Sequence, residues 1–346
     1  MKDLKYLIAY IVPMAALTGL YLRGNWAFFT PILAFVLVPI FEIILPVNPN
    51  NLSDSETLSK SKNRFFNWLL YANVPLVFTI VIWFLYSLNT QEYSTSELVG
   101  LIFSVGIVVG SNGINVAHEL GHRQLQWEKT LGKLLLLPAL YMHFFIEHNY
   151  GHHQHAATPE DPATAKYNQT LYAFWFSSII RQYTNSWTIQ KQLLSRENAG
   201  FFSFKNDMFW YTFFQLGYAL LVFMFFGSIG LLVAISIGAV AILLLETINY
   251  VEHYGLRRMK TTSGRYERVT EIHSWNSNHV MGRMMLYELT RHSDHHYKSH
   301  KKFQVLEYHD VSPQMPYGYP TSMVLAMIPP LWFSIMNKRI PLEMRT

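Results

Sequence analysis

Fifteen histidines and no cysteine define the chemistry open to this chain of 346 residues. Nine of the histidines fall in four places. These are His118-Glu-Leu-Gly-His122, Glu147-His-Asn-Tyr-Gly-His-His153, a single His253 within Asn249-Tyr-Val-Glu-His-Tyr-Gly255, and Arg291-His-Ser-Asp-His-His296. Residues i and i+4, or i and i+3, share a helical face about 5–6 Å apart. His118 and His122 are therefore expected to aim two imidazoles at one point. His148 and His152 repeat that arrangement with His153 in a neighbouring direction, and His292, His295 and His296 do the same. Imidazole nitrogens suit zinc, copper, iron or nickel, and nine of them exceed the roughly four to six donors one ion accepts. Two metals are the economical reading. A lone His-x-x-x-His pair belongs more often to packing, and His118-Glu-Leu-Gly-His122 literally fits the His-Glu-x-x-His pattern of zinc proteases, so that piece alone is unspecific. Three multi-histidine clusters with His253 beside them are not explained by packing. The lack of cysteine excludes disulfides, thiolate haem, iron–sulfur clusters and zinc ribbons.

The elements that must carry these side chains are apolar helices. Hydrophobic residues make up 51% of the chain and aromatics 16%, whereas charged residues make up only 14%. That is well below the roughly 25% of soluble domains, and disorder is excluded because so much apolar surface can be buried. The fold class expected is an all-α integral membrane protein: six transmembrane helices at about 4–22, 26–46, 68–88, 98–117, 208–226 and 229–250, with a histidine-rich catalytic cap at 118–207 and 251–346, all one domain over 1–346. The last two spans form a hairpin at Gly227-Ser228. The N-terminus runs into the first span with no small-residue cleavage site, so it reads as a membrane helix and not a removed signal. Net charge is +5, which in a membrane protein marks cytoplasmic loops rather than nucleic acid. With the N-terminus inside, only Arg23 of the 27 basic residues falls outside, so the cap is assigned to the cytoplasm.

Three segments are less regular. Residues 131–146 are apolar but short and contain Pro138, and residues 319–336 are interrupted by Pro329-Pro330. Both are read as re-entrant or interfacial. Residues 171–197 read as an amphipathic helix, on the membrane surface or packed in the cap. Because 131–146 does not cross, the second histidine cluster stays on the side of the first. From Leu98 to His122 a helix extends about 37 Å at 1.5 Å per residue, about one turn beyond a hydrocarbon core of about 30 Å.

The histidine stretches resemble those of the integral-membrane alkane monooxygenases, within the membrane fatty-acid desaturase and hydroxylase superfamily. The most specific part is Glu147-His-Asn-Tyr-Gly-His-His153 continued by Gln-His-Ala-Ala-Thr-Pro-Glu-Asp-Pro-Ala163. Asn249–Leu256, His273-Ser-Trp-Asn-Ser-Asn-His279 and Arg291–His296 extend the match, which is densest between His118 and Pro320. Ala156 stands where valine is usual and Thr290 where glutamine is usual. The resemblance implies two iron ions held by His118, His122, His148, His152, His153, His253, His292, His295 and His296. It implies terminal hydroxylation of an alkane with O2 and electrons from rubredoxin, itself reduced by rubredoxin reductase, at the bacterial inner membrane. Rubredoxin iron needs four thiolates, so a chain without cysteine must dock its donor. Alternatives are a related oxygenase acting on an aromatic methyl group or a fatty acyl chain, and a membrane zinc protein.

Metal-bound imidazoles usually donate their second N–H to a carboxylate or carbonyl. Glu119, Glu147, Asp161, Glu252 and Asp294 are close enough in sequence to serve, and His273 and His279 are further candidates for that outer layer. His143 reads as a packing group. Glu42 is read as the one carboxylate inside a span, near its inner end, with snorkelling toward water or a function as its two explanations. The basic residues Arg257, Arg258, Lys260, Lys298, Lys301 and Lys302 are candidates for steering an acidic donor or for contact with lipid headgroups.

Overall fold

The computed structural model describes residues 2–345. Among them the regular structure is helical, with isolated bridges only, such as Val47 with His279. Among the described residues five helices are long and apolar enough to cross a membrane: Asp3–Leu22, Gly24–Ile44, Phe65–Thr90, Thr95–Gly121 and Asp207–His253. The chain forms two compact units. The first comprises residues up to Leu37, Arg64–Glu147 and Thr184–Leu245; the second comprises Val38–Asn63, His148–Tyr183 and residues from Glu246 onward.

In the first unit the apolar runs are tied together at their turns. Ser94 and Glu97 cap the helix that starts at Thr95 reciprocally: the Glu97 N–H donates to Ser94 Oγ at 3.3 Å and the Ser94 N–H to Glu97 Oε2 at 2.9 Å. The same Glu97 accepts from the Gly24 N–H at 2.8 Å, and Arg23 reaches the Glu92 carbonyl. Asn89 Nδ2 donates to the Phe225 carbonyl at 3.0 Å. The three turns that charge placement assigns to one side are therefore in contact at one end of this unit.

The 47-residue run Asp207–His253 folds back on itself at Gly227. Gln215 Oε1 accepts from the Met142 N–H at 3.0 Å, and Gly238 passes so near Ala139 that a β-carbon there would stand 2.9 Å from its carbonyl oxygen. Unbroken helix would hold residues 215 and 238 about 34 Å apart, whereas residues 139 and 142 are separated by at most about 11 Å of extended chain. The reversal uses φ +68° and ψ −168° at Gly227, a conformation only glycine adopts without strain. The returning arm packs on Thr95–Gly121 through Gly106, whose missing side chain admits Val240.

The short apolar segments break as expected. Residues 131–146 divide between the end of helix Gln126–Leu135, a turn with Leu140 at φ +54°, and the single turn Phe144–Ile146. Tyr319–Ala326 and Pro329–Met336 are two helices of 8 residues, each too short to span. Residues 171–196 form one helix, Leu171–Arg196.

The second unit has an aromatic core. Tyr250, Tyr254, Trp275, Tyr319 and Trp332 are buried together, and Trp275 is pinned by its N–H to the Glu252 carbonyl (2.8 Å) and by its indole N–H to the Tyr254 carbonyl (2.9 Å). The buried Arg291 guanidinium donates to the carbonyls of Asn50 and Leu306 at 2.9 and 2.7 Å. These bonds tie the segments at Asn50 and Leu306 to the start of the short helix His292–Tyr297.

Candidate metal centre

The ends of three segments of the second unit bring four imidazoles together. His152 closes a widened turn, His253 ends the long apolar run, and His292 and His296 face one way from their short helix. His152 Nε2 lies 3.1 Å from His296 Nε2, His296 Nε2 lies 3.0 Å from His292 Nε2, and His292 Nε2 lies 3.1 Å from His253 Nε2. One ligating atom from each falls within 4.8 Å of all the others, and all four side chains are buried.

Asp161 fixes the chemistry of this quartet. Its Oδ2 lies 2.9 Å from His152 Nδ1 and accepts from Thr164 Oγ1 at 2.6 Å, while Oδ1 accepts from the Ala163 N–H at 3.0 Å. The imidazole proton therefore belongs on Nδ1, and the Nε2 lone pair faces the other rings. Burial pushes the Asp161 carboxyl up, but His152 and Thr164 outweigh it and hold the group below its ordinary range. Burial, and then the neighbouring His292 and His152, keep His296 neutral, well below the usual histidine range. The Nε2 atoms stand 3.0–3.1 Å apart from one ring to the next, close enough for one ion to engage them together. Donors about 2.1 Å from one ion and at right angles to each other stand about 3.0 Å apart. The donor set fits a metal.

A second set forms beside it in the same unit. His153 Nε2 is 3.0 Å from His148 Nε2 and 3.2 Å from His295 Nε2. This corrects the spacing argument, which pairs His148 with His152 and groups His295 with its neighbours. The turn Glu147–His152 is π-helical, and its extra residue brings His153 round toward the face of His148 while His152 turns to the quartet. In His292–Tyr297, the i,i+4 pair His292 and His296 goes to the quartet and His295 to the trio. In the first unit, His118 and His122 lie at the end of Thr95–Gly121 with ring centroids 5.1 Å apart, just after a π-helical turn at Val109–Ile114.

The expected outer carboxylates divide. Asp161 lies behind the His152 ring, at its Nδ1. Glu252 does not stand behind a ring: its Oε2 lies 3.2 Å from His292 Nε2, the nitrogen that faces the quartet. Asp294 is drawn away, since it accepts from Lys301 at 2.9 Å, the Glu307 N–H at 2.9 Å and His309 at 2.8 Å. Glu119 pairs with Arg123 at 2.9 Å, and Glu147 is buried 3.5 Å from the Asn185 amide. His273 bonds Glu267 and the Thr270 N–H, and His279 bonds Ser277. His143 is buried against Tyr141.

Two further corrections concern charge. Glu42 is not alone in a span: Glu246 lies in Asp207–His253, fully buried, and accepts from Ser178 at 2.7 Å and Gln182 at 2.8 Å. An acid set in an otherwise apolar run was the available signal. Much of the basic patch is spent internally. Lys301 holds Asp294, Lys302 donates to the Ser61 carbonyl at 3.0 Å, and Arg258 donates to the carbonyls of Gln154 and Glu267.

Membrane-length helices and converging imidazoles describe a membrane protein of the desaturase type, and the sequence pattern of the fatty acid desaturase family matches residues 95–325. Similar proteins include alkane 1-monooxygenase 1 of Pseudomonas aeruginosa, 38% identical over 91% of this chain and 83% of the relative. Alkane 1-monooxygenase 2 of the same organism is 37% identical over 91% and 84%. The xylene/toluene monooxygenase hydroxylase component of Pseudomonas putida is 26% identical over 98% and 89%. The chain belongs to the alkane 1-monooxygenase family of oxidoreductases, within the desaturase family.

Proposed function

We propose that this protein hydroxylates the terminal methyl group of medium- or long-chain alkanes at a centre of two iron ions. The observation that carries the reading is the buried quartet, whose lone pairs converge with one tautomer preset by Asp161. In this reading His152, His253, His292 and His296 hold one ion. His148, His153 and His295 hold the second, and His118 and His122 are the remaining two of the nine ligands that the family resemblance implies. Both units act as one oxygenase over residues 1–346. Two irons held there supply the redox chemistry by which R–CH3, O2, two electrons and two protons become R–CH2OH and water. The chain's own part is to keep nine imidazoles neutral and oriented, to exclude water with its aromatic core, and to admit an alkane dissolved in the bilayer.

The reversal at Gly227 supports six crossings, and the charge asymmetry supports a cytoplasmic site at the bacterial inner membrane. The electrons come from a docked rubredoxin, reduced in turn by its reductase. Membership of the family favours an oxygenase over a zinc protein. The test is purified protein with its iron quantified, given rubredoxin, reductase, reduced nicotinamide cofactor and octane. Two irons per chain and 1-octanol are expected. Hydroxylation by metal-free protein would overturn the reading, and turnover of xylene or a fatty acyl chain in place of octane would move it to the related substrates.

A further inference from the structure

Thr164 is the side chain behind Asp161. Its hydroxyl accepts from the Ala157 N–H at 2.9 Å and donates to Asp161 Oδ2 at 2.6 Å. A threonine hydroxyl turns about its Cβ–Oγ bond and can donate or accept. Here its direction is fixed, because a backbone N–H can only donate. The Ala157 N–H takes a lone pair of the hydroxyl oxygen, and the hydroxyl proton goes to the acid. Oδ2 then lies between Thr164 on one side and His152 Nδ1, at 2.9 Å, on the other, while Oδ1 is held by the Ala163 N–H at 3.0 Å. Ala157 is buried and aims its N–H from a left-handed conformation, φ +60°, that residues other than glycine seldom adopt. The direction of this donor is thus set by the backbone and not by a mobile side chain.

Both ends of this small frame are tied to the chain that follows His253. The Ala157 carbonyl accepts from the Arg258 N–H at 2.7 Å, and the Ala165 carbonyl, next to Thr164, accepts from the Gly255 N–H at 2.9 Å. The Arg258 guanidinium also reaches back to the Gln154 carbonyl, one residue past His153, at 2.8 Å. All of these residues belong to the second unit. Two quartet segments far apart in sequence therefore share one hydrogen-bonded frame, and their rings, His152 and His253, stand 4.7 Å apart between centroids. We propose that Thr164 is a positioning residue for the quartet. Its hydroxyl, fixed as a donor by the Ala157 N–H, holds the Asp161 carboxylate in the orientation that presents Oδ2 to His152 Nδ1, and so keeps the His152 ring in register with His253. This rests on the metal reading above.

The test uses the full chain in detergent or lipid and reads the affinity for each ion by competition with a chelator of known affinity. The absorption spectrum of Co2+-loaded protein is recorded beside it. Thr164→Val keeps the branched shape and removes the hydroxyl. It is expected to weaken the quartet ion about tenfold, the lower end of what disturbing an outer partner costs, and to leave the other ion at its wild-type affinity. Its cobalt bands are expected to shift. Thr164→Ser keeps the hydroxyl and is expected to match wild type in affinity and spectrum. Because Thr164 acts through the acid, Thr164→Val in an Asp161→Asn background is expected to weaken the quartet no further, a non-additive cycle. Wild-type affinities in Thr164→Val, a loss in Thr164→Ser as large as in Thr164→Val, equal weakening of both ions, or effects that multiply in the double variant would each overturn the proposal. Where Thr164→Val does not fold, Thr164→Ala is read in its place against the same expectations. If neither folds, the hydroxyl serves the fold and not the quartet, and the proposal falls. Wild-type protein that takes up neither iron nor cobalt would overturn the metal reading instead.

Discussion

The quartet and the trio of the second unit use the same residue type under different constraints. The quartet draws on three separate segments, every ring is buried, and a carboxylate presets one tautomer. The trio draws on two segments, and its central ring, His153, is only half-buried. A sealed, preset donor set favours retention of an ion, because water and competing ligands cannot reach it and the rings need no reorganisation. A half-open set favours arrival and departure of a small molecule. In the proposed centre the quartet is the holding half and the trio the accessible half.

The largest effect expected from this contrast is at His296, whose Nε2 is within 3.1 Å of two other quartet nitrogens. His296→Ala is expected to lower bound iron from two ions per chain to one and to cut alkane hydroxylation at least about 10³-fold, roughly 4 kcal/mol of transition-state stabilisation. Metal analysis beside product analysis checks both. Two irons retained in this variant would remove the distinction between the halves.

Asp161 sharpens the comparison at smaller amplitude. Asp161→Asn keeps the shape but loses the charge that fixes the His152 tautomer, and a weakening of quartet metal affinity by about 10–100-fold is expected. Competition with a chelator of known affinity measures it. The quartet ion should weaken while the other ion keeps its affinity. Equal weakening of both ions would mean that Asp161 supports the fold as a whole and not one half of the centre.

What the sequence reveals follows the same division. The histidines declare themselves because helical spacing and clustering are local properties, and the apolar runs declare themselves by length. Gly227 marks the reversal because a turn between two apolar arms needs a residue free of side-chain strain. The partition of the histidines is hidden, since it depends on one extra residue in the turn Glu147–His152, and i,i+4 arithmetic then assigns His152 to the wrong neighbour. The roles of the acids are hidden as well. Glu252 and Asp294 both adjoin clustered histidines, yet Glu252 faces the quartet while Lys301 and His309, 7 and 15 residues farther on, draw Asp294 away. Sequence proximity gives reach but not direction.

The finest discrimination comes from acid sensitivity of the metal-free protein. Burial pushes His143 down to about 3, and burial with neighbouring rings holds His296 well below the ordinary value of about 6.5. In the unfolded chain both take up a proton as pH falls through about 6.5, whereas the folded chain stays neutral. The unfolded state then binds more protons, so stability is lost as pH falls from about 6.5 toward the folded values, at about 1.4 kcal/mol per pH unit for each such histidine. Denaturant unfolding of metal-free protein at pH 6.5 and 5.5 measures the loss. His143→Leu and His296→Leu are each expected to reduce it by about 1 kcal/mol. His143 lies outside both sets and calibrates what burial alone does. If His296→Leu leaves the loss unchanged while His143→Leu reduces it, water reaches the quartet before the metal does, and the contrast between a sealed half and an open half fails.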